Sequence, residues 1–173
     1  MTARASHLDH VGIVGRDLGD LAECFTALGF QVSPLARHEG GRTGNHCVML
    51  AGSYLELIAT LPGGASATLD RFLARHAGAH MLALGIDDPK AVVARLSRAG
   101  FPDPLVVGTE RALDASDPDG PRVAFDLITP PDPPEGRVHL IRHRTPALMW
   151  PAGSQAHPNN VVDLAEIILV VDQ

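Results

Sequence analysis

Lysine occurs once in 173 residues, at Lys90, and aromatic residues make up only 4% of the chain. Basic clusters with interleaved aromatics are missing, and the formal net charge is -6. The electrostatic footprint of a nucleic-acid-binding protein is therefore lacking. Cysteine is nearly as scarce: Cys24 and Cys47 have no CxxC or zinc-knuckle spacing. They read as reduced packing residues, not as a disulfide framework. The longest apolar run, "VVDLAEIILVV" from Val161, carries Asp163 and Glu166 and falls far short of a bilayer span. No apolar signal core precedes His10. The expected address is cytoplasmic, with neither membrane nor nucleic acid among the partners.

What is present is the composition of a globular protein, 45% hydrophobic and 20% charged, and a pattern written twice. "DLGDLAECFTALGF" places Leu18, Leu21, Ala22, Phe25 and Leu28 on one helical stripe, with Asp17 as N-cap and Gly29 as the stop. "DPKAVVARLSRAGF" repeats it from Asp88, with Pro89 at the first helical position, Val92, Val93 and Leu96 on the stripe and Gly100 as the stop. Both pairs of landmarks are offset by the same 71 positions, counted from the sequence: Asp17 to Asp88 and Gly29 to Gly100. An apolar strand precedes each helix ("HVGIVG", "HMLALGI"). Three strand-like segments follow: "FQVSPLAR", "NHCVMLA" and "YLELIATL" in the first copy, "PLVVGT", "RVAFDLIT" and "RVHLIRH" in the second. A helix at about residues 66–76, capped by Ser66, links the copies.

Through "DHVGIVGRDL", "ALGF" and "YLELIA", residues 7 to 143 resemble the vicinal oxygen chelate superfamily. "HEGGRTGN" and "HPNN" are similar to its bacterial glyoxalase-like branch. The resemblance implies an α+β fold in which two paired βαβββ modules form a cupped open barrel, of glyoxalase/dioxygenase type. The expected layout is a glyoxalase-like domain over residues 1–143, with modules at about 7–62 and 79–143. A C-terminal extension, 144–173, would end in a strand that pairs within the chain, with a second copy, or as the start of a further module. Members often form homodimers, sometimes with a shared site.

Strand parity assigns faces independently of the family. Val11 and Ile13 must cover the helix, so His10, Gly12 and Val14 face the other way. In "YLELIATL", Leu55, Leu57 and Ala59 form the helix-side face and leave Tyr54, Glu56 and Ile58 opposite. His10 and Glu56 match the family's first ligand pair. The offset maps His10 onto Met81, leaving His80 one residue out of register, and "ELIA" aligns with "HLIR", which brings in His139. The resemblance thus implies His10, Glu56 and His139 as ligands to a divalent metal ion (Zn, Ni, Mn or Fe), with Met81 in the fourth place. The alternative is a hydrogen-bonded core histidine at His10 with Glu56 as its partner.

The remaining candidates are His38, Arg42, Thr43 and Asn45 in the glycine-rich connection, with Tyr54, Met81 and Trp150, as contacts to a small-molecule ligand. His157 matches a motif but has no derived role. Two functions are expected from different classes. One is a metal-dependent lyase, isomerase or dioxygenase on an oxygen-chelating substrate, with Glu56 as the catalytic proton acceptor. The other is a metal-free protein of the same fold that sequesters a small molecule, without a cofactor.

Overall fold

The computed structural model describes residues 4–170. Elements follow in the order β1 (Ala5–Val14), α1 (Leu18–Ala27), β2 (Ala36–Arg37), β3 (Thr43–Met49), β4 (Tyr54–Thr60), α2 (Ala67–Leu73), β5 (Gly78–Ile86), α3 (Pro89–Arg98), β6 (Val107–Ala112), β7 (Arg122–Ile128), β8 (Arg137–His143) and α4 (Pro146–Met149). All eight strands join one sheet in the order β2-β3-β4-β1-β5-β8-β7-β6. With β1 to β4 mapped onto β5 to β8, this order reads the same from either end. The central seam is the antiparallel pair β1 and β5, and each half closes with a parallel pair, β1 with β4 and β5 with β8. The far edges nearly meet, where the Ala115 amide donates to the Leu35 carbonyl at 2.7 Å. The sheet is thus nearly a barrel, as the duplicated pattern implies.

The two long helices begin alike. The Asp17 carboxylate accepts from the Asp20 amide at 3.0 Å, and Asp88 accepts from Ala91 at 3.0 Å. Both end on a glycine in the left-handed region, Gly29 at φ 81° and Gly100 at φ 83°. Leu18, Leu21 and Phe25 pack outside the first half against Leu57, Ala59 and Val48, while Val92, Val93 and Leu96 meet Ile86 and Ile128 outside the second. Leu28, expected on the first stripe, stays exposed. Helix α2 closes one end of the barrel with Leu69 and Phe72, which pack on Val14, Ile58 and Met81.

Two expectations need correction. The second strand spans only Ala36–Arg37, not the whole of 30–37, because Pro34 lacks the N–H a ladder requires. The expected final strand is not formed among the described residues: 161–170 have no regular structure, and residues 171–173 of the expected strand lie outside them. Ile167 and Leu169 of this segment line a pocket on the sheet together with Val11, Leu82 and Val138. Its Val162 carbonyl accepts from the Ala51 amide at 2.9 Å, but no ladder forms among the described residues, and Ile168 and Val170 remain exposed. The stretch before it straps the first half. His157 donates from Nε2 to the Met49 carbonyl at 2.8 Å and accepts at Nδ1 from the Gln31 amide at 3.0 Å. Among the described residues no helix is long and apolar enough to cross a membrane.

Candidate functional site

The barrel interior opens as a cup of about 330 Å³. From the first half, β1 contributes His10, and β4 contributes Tyr54, Glu56 and Ile58, as parity requires. Their register is parallel, His10 beside Tyr54 and Gly12 beside Glu56. His38 comes from the connection between β2 and β3, and Thr43 is the first residue of β3. From the second half come Met81, Thr109, Arg111, Phe125, Arg137 and His139. His80 turns away: its ring stacks on Phe72 at 4.9 Å and its Nε2 donates to the His76 carbonyl at 2.8 Å.

Glu56 is the focus of the first-half wall. Its Oε1 accepts from Asn45 Nδ2 at 2.5 Å and lies 3.3 Å from His38 Nε2. Its Oε2 lies 3.7 Å from His10 Nε2. Burial works to raise the Glu56 pKa. The hydrogen bond from His38, the charges of His10 and His38 and the bond from Asn45 outweigh it and hold the carboxyl well below its usual range. His38 is oriented through Nδ1, 2.8 Å from Thr43 Oγ1.

Behind His10 lies Asp9, only 1% exposed. Neighbouring strand residues normally point to opposite faces, but the β1–β5 register shifts between Leu8 and His10. The Asp9 carboxylate reaches His10 Nδ1 at 2.7 Å and also accepts from His143 Nε2 at 2.9 Å. Burial pushes Asp9 upward, yet its bonds to the two histidines hold it far below the ordinary carboxylate range. Because an ionised carboxylate only accepts, His10 carries a proton on Nδ1, and the ring is fixed by that bond and by stacking on Tyr54 at 4.4 Å. Across the cup, His139 bonds through Nδ1 to Thr129 Oγ1 at 2.9 Å. Burial, then the charges of His10 and Arg137, push its pKa down to about 4, so the ring is neutral.

The cup therefore contains His10, His38, Thr43, Tyr54, Glu56, Met81 and His139 of the expected set. Asn45 sits behind Glu56 as its hydrogen-bond donor. Arg42 does not line the cup: it is exposed at the turn before β3, where its carbonyl accepts from the Leu61 amide. Trp150 does not line it either, because its indole donates to the Leu50 carbonyl at 3.2 Å and its ring packs edge-on against Tyr54 and His143. Sequence reasoning missed Asp9, His143, Arg111 and Arg137. Asp9 is adjacent to His10 in the chain, but parity argued against it. A metal ion fits this donor set poorly: among the described residues no three His, Cys, Asp or Glu side chains are arranged to hold one, and Met81 offers only a thioether where a fourth hard ligand would be needed.

A family model, the glyoxalase-like domain, matches residues 8–173. No curated protein matches the chain. Among solved structures, methylmalonyl-CoA epimerase from Mycobacterium tuberculosis aligns with a TM-score of 0.55 and 22% identity over 82% of this chain and 90% of its own. A variant of the Streptomyces coelicolor epimerase in complex with 2-nitronate-propionyl-CoA gives 0.56 and 21% over 80% and 94%. A hypothetical protein from Bacillus halodurans gives 0.55 and 15% over 78% and 91%. At these identities the structures share the fold.

Proposed function

Because this chain belongs to the glyoxalase-like domain family, we propose that its cup is the active site of an isomerase or lyase that moves a proton on a small ligand with neighbouring oxygen atoms, Glu56 being the acceptor. One observation carries this reading: Glu56 Oε1 is anchored by Asn45 and His38, while Oε2 faces the cup opposite His10 Nε2. Glu56 Oε2 and His10 Nε2 stand 3.7 Å apart, a gap that a ligand can enter so that its proton comes within reach of the carboxylate. A carboxylate so well solvated by donors is a weak base, so the anion formed on the substrate must itself be stabilised. Neutral His139, anchored at Nδ1, has Nε2 left to donate to that oxyanion. Asp9 holds His10 in place and does not touch the ligand.

The test is solvent deuterium exchange into small oxo-acids and hydroxy-ketones, followed by NMR. Glu56→Gln is expected to slow exchange on the order of 100-fold or more, and a folded variant that exchanges at the parent rate would defeat the assignment. No step above needs a metal. Stoichiometric Zn, Ni, Mn or Fe after purification without chelators, lost in His10→Ala and Glu56→Ala, would replace this chemistry by the metal-dependent form. A second reading, sequestration of a small molecule without turnover, is favoured by the apolar cavity that adjoins the cup.

A further inference from the structure

Arg111 is a buried cation without a carboxylate. Its side chain projects from edge strand β6 into the barrel and is only 8% exposed. Among the described residues no Asp or Glu is paired with it. Its guanidinium donates to the Ala112 carbonyl at 3.4 Å, and its carbon lies 5.8 Å from the centre of the Phe125 ring. The Cys47 thiol lies beside it, but burial pushes that thiol up to about 12, so it stays neutral. The Tyr54 phenol, which also senses Arg111, is likewise driven upward by burial. Asp114 lines a cavity that Arg111 also lines, but its carboxylate accepts from the Ser116 amide and hydroxyl. An unpaired buried guanidinium is costly, and an anion bound beside it repays the cost.

The position of Arg111 indicates where that anion comes from. It lines the cup and also a second cavity of about 530 Å³ at the other end of the barrel. The second cavity is walled mostly by apolar groups, among them Val32, Ala36, Met49, Leu113 and Met149. The guanidinium is the shared wall between a polar chamber and an apolar one. We propose that the ligand is an amphipathic organic acid whose carboxylate is held by Arg111 at the boundary with the cup and whose apolar body occupies the second cavity. This substrate class rests on the reading of the cup as the reaction site, but the binding itself is measured without turnover.

The probes are octanoate, octanol and octylamine, titrated by calorimetry into the intact protein. Octanoate is expected to bind at least tenfold more tightly than either of the other two. Arg111→Leu is expected to remove that preference while octanol affinity stays within about twofold, and Arg111→Lys to keep part of it. Ala152→Trp, at the exposed rim of the second cavity, should weaken all three without touching Arg111 or the cup. Equal affinity for octanoate and octanol in the parent would overturn the proposal. So would octanoate binding that survives Arg111→Leu in a protein with parent-like circular dichroism, or that ignores Ala152→Trp. Glu56→Gln keeps the octanoate preference if only the proton-transfer assignment is wrong, so the two readings fail separately.

Discussion

The two halves of the barrel share a topology and differ in chemistry. The first-half wall holds a buried carboxylate surrounded by donors: Glu56 with His10, His38 and Asn45. The second-half wall places Met81 where the repeat has His10 and His139 where it has Glu56, with Arg111 and Arg137 beside them. Arg137 is committed to Asp132, with both contacts at 2.9 Å, whereas Arg111 is not paired with an acid. A duplicated scaffold has thus put an ionised acceptor on one wall and neutral or cationic groups on the other. The pseudo-symmetry belongs to the backbone, where packing requires it, and is lost at the inward positions, where packing tolerates exchange.

The sharpest way to break the comparison is at Asp9 and His80, which are equivalent under the repeat. Asp9→Ala strands two buried imidazoles and is expected to cost about 3 kcal/mol. His80→Ala loses one hydrogen bond and two ring stacks, on Phe72 and His76, and is expected to cost about 1–2 kcal/mol. Urea unfolding of both variants reads the difference. Equal costs would mean that the Asp9 cluster is no more demanding than its counterpart.

Acid titration sharpens the contrast between the walls. His139 stays neutral in the folded state down to about 4, whereas the unfolded imidazole takes a proton near 6.5. Below 6.5 the unfolded chain therefore binds more protons, so the stability is fully present above that pH and is lost as pH falls toward about 4. Glu56 and Asp9, also depressed, contribute stability that is present above the ordinary carboxylate range and is lost at lower pH. His139→Phe should flatten the upper window alone, by about 1–2 kcal/mol after solvent screening. Thermal melts from pH 7 to 4.5 measure it, and an unchanged slope would remove His139 as the source.

The smallest effect tests where the halves agree. Asp17→Ala and Asp88→Ala each remove one N-cap bond of the same length and are expected to cost about 1 kcal/mol apiece. Denaturant midpoints that differ by more than about half that amount would show that the helices are not energetically equivalent.

Much of the scaffold was legible in the chain. Helix boundaries followed from caps and glycines, and the faces of β1 and β4 followed from alternation, which placed His10 and Glu56 on one side and His80 on the other. The edge strand β6 was harder to read, since "PLVVGT" suggested a strand from its apolar end. The ladder instead runs from Val107 to Ala112 and carries Thr109 and Arg111 inward. Trp150, the only tryptophan, could wall the pocket or pack the tail, and the structure has it pack. Its indole N–H needed an acceptor, and the Leu50 carbonyl supplied one away from the cup.

By itself the sequence determined whatever obeys a short period: two capped helices at a constant offset, strands with one face for the helices and one for the interior, and hence a repeated βαβββ pattern. Those rules act within a few residues, where sterics and hydrogen bonding are local. Only the tertiary structure decided which interior side chains meet. His143 reaches Asp9 across 134 positions, a register shift overrides parity at Asp9, and sheet curvature leaves Arg111 between two cavities with no acid beside it. Such contacts depend on strand order and barrel closure, which local periodicity does not encode.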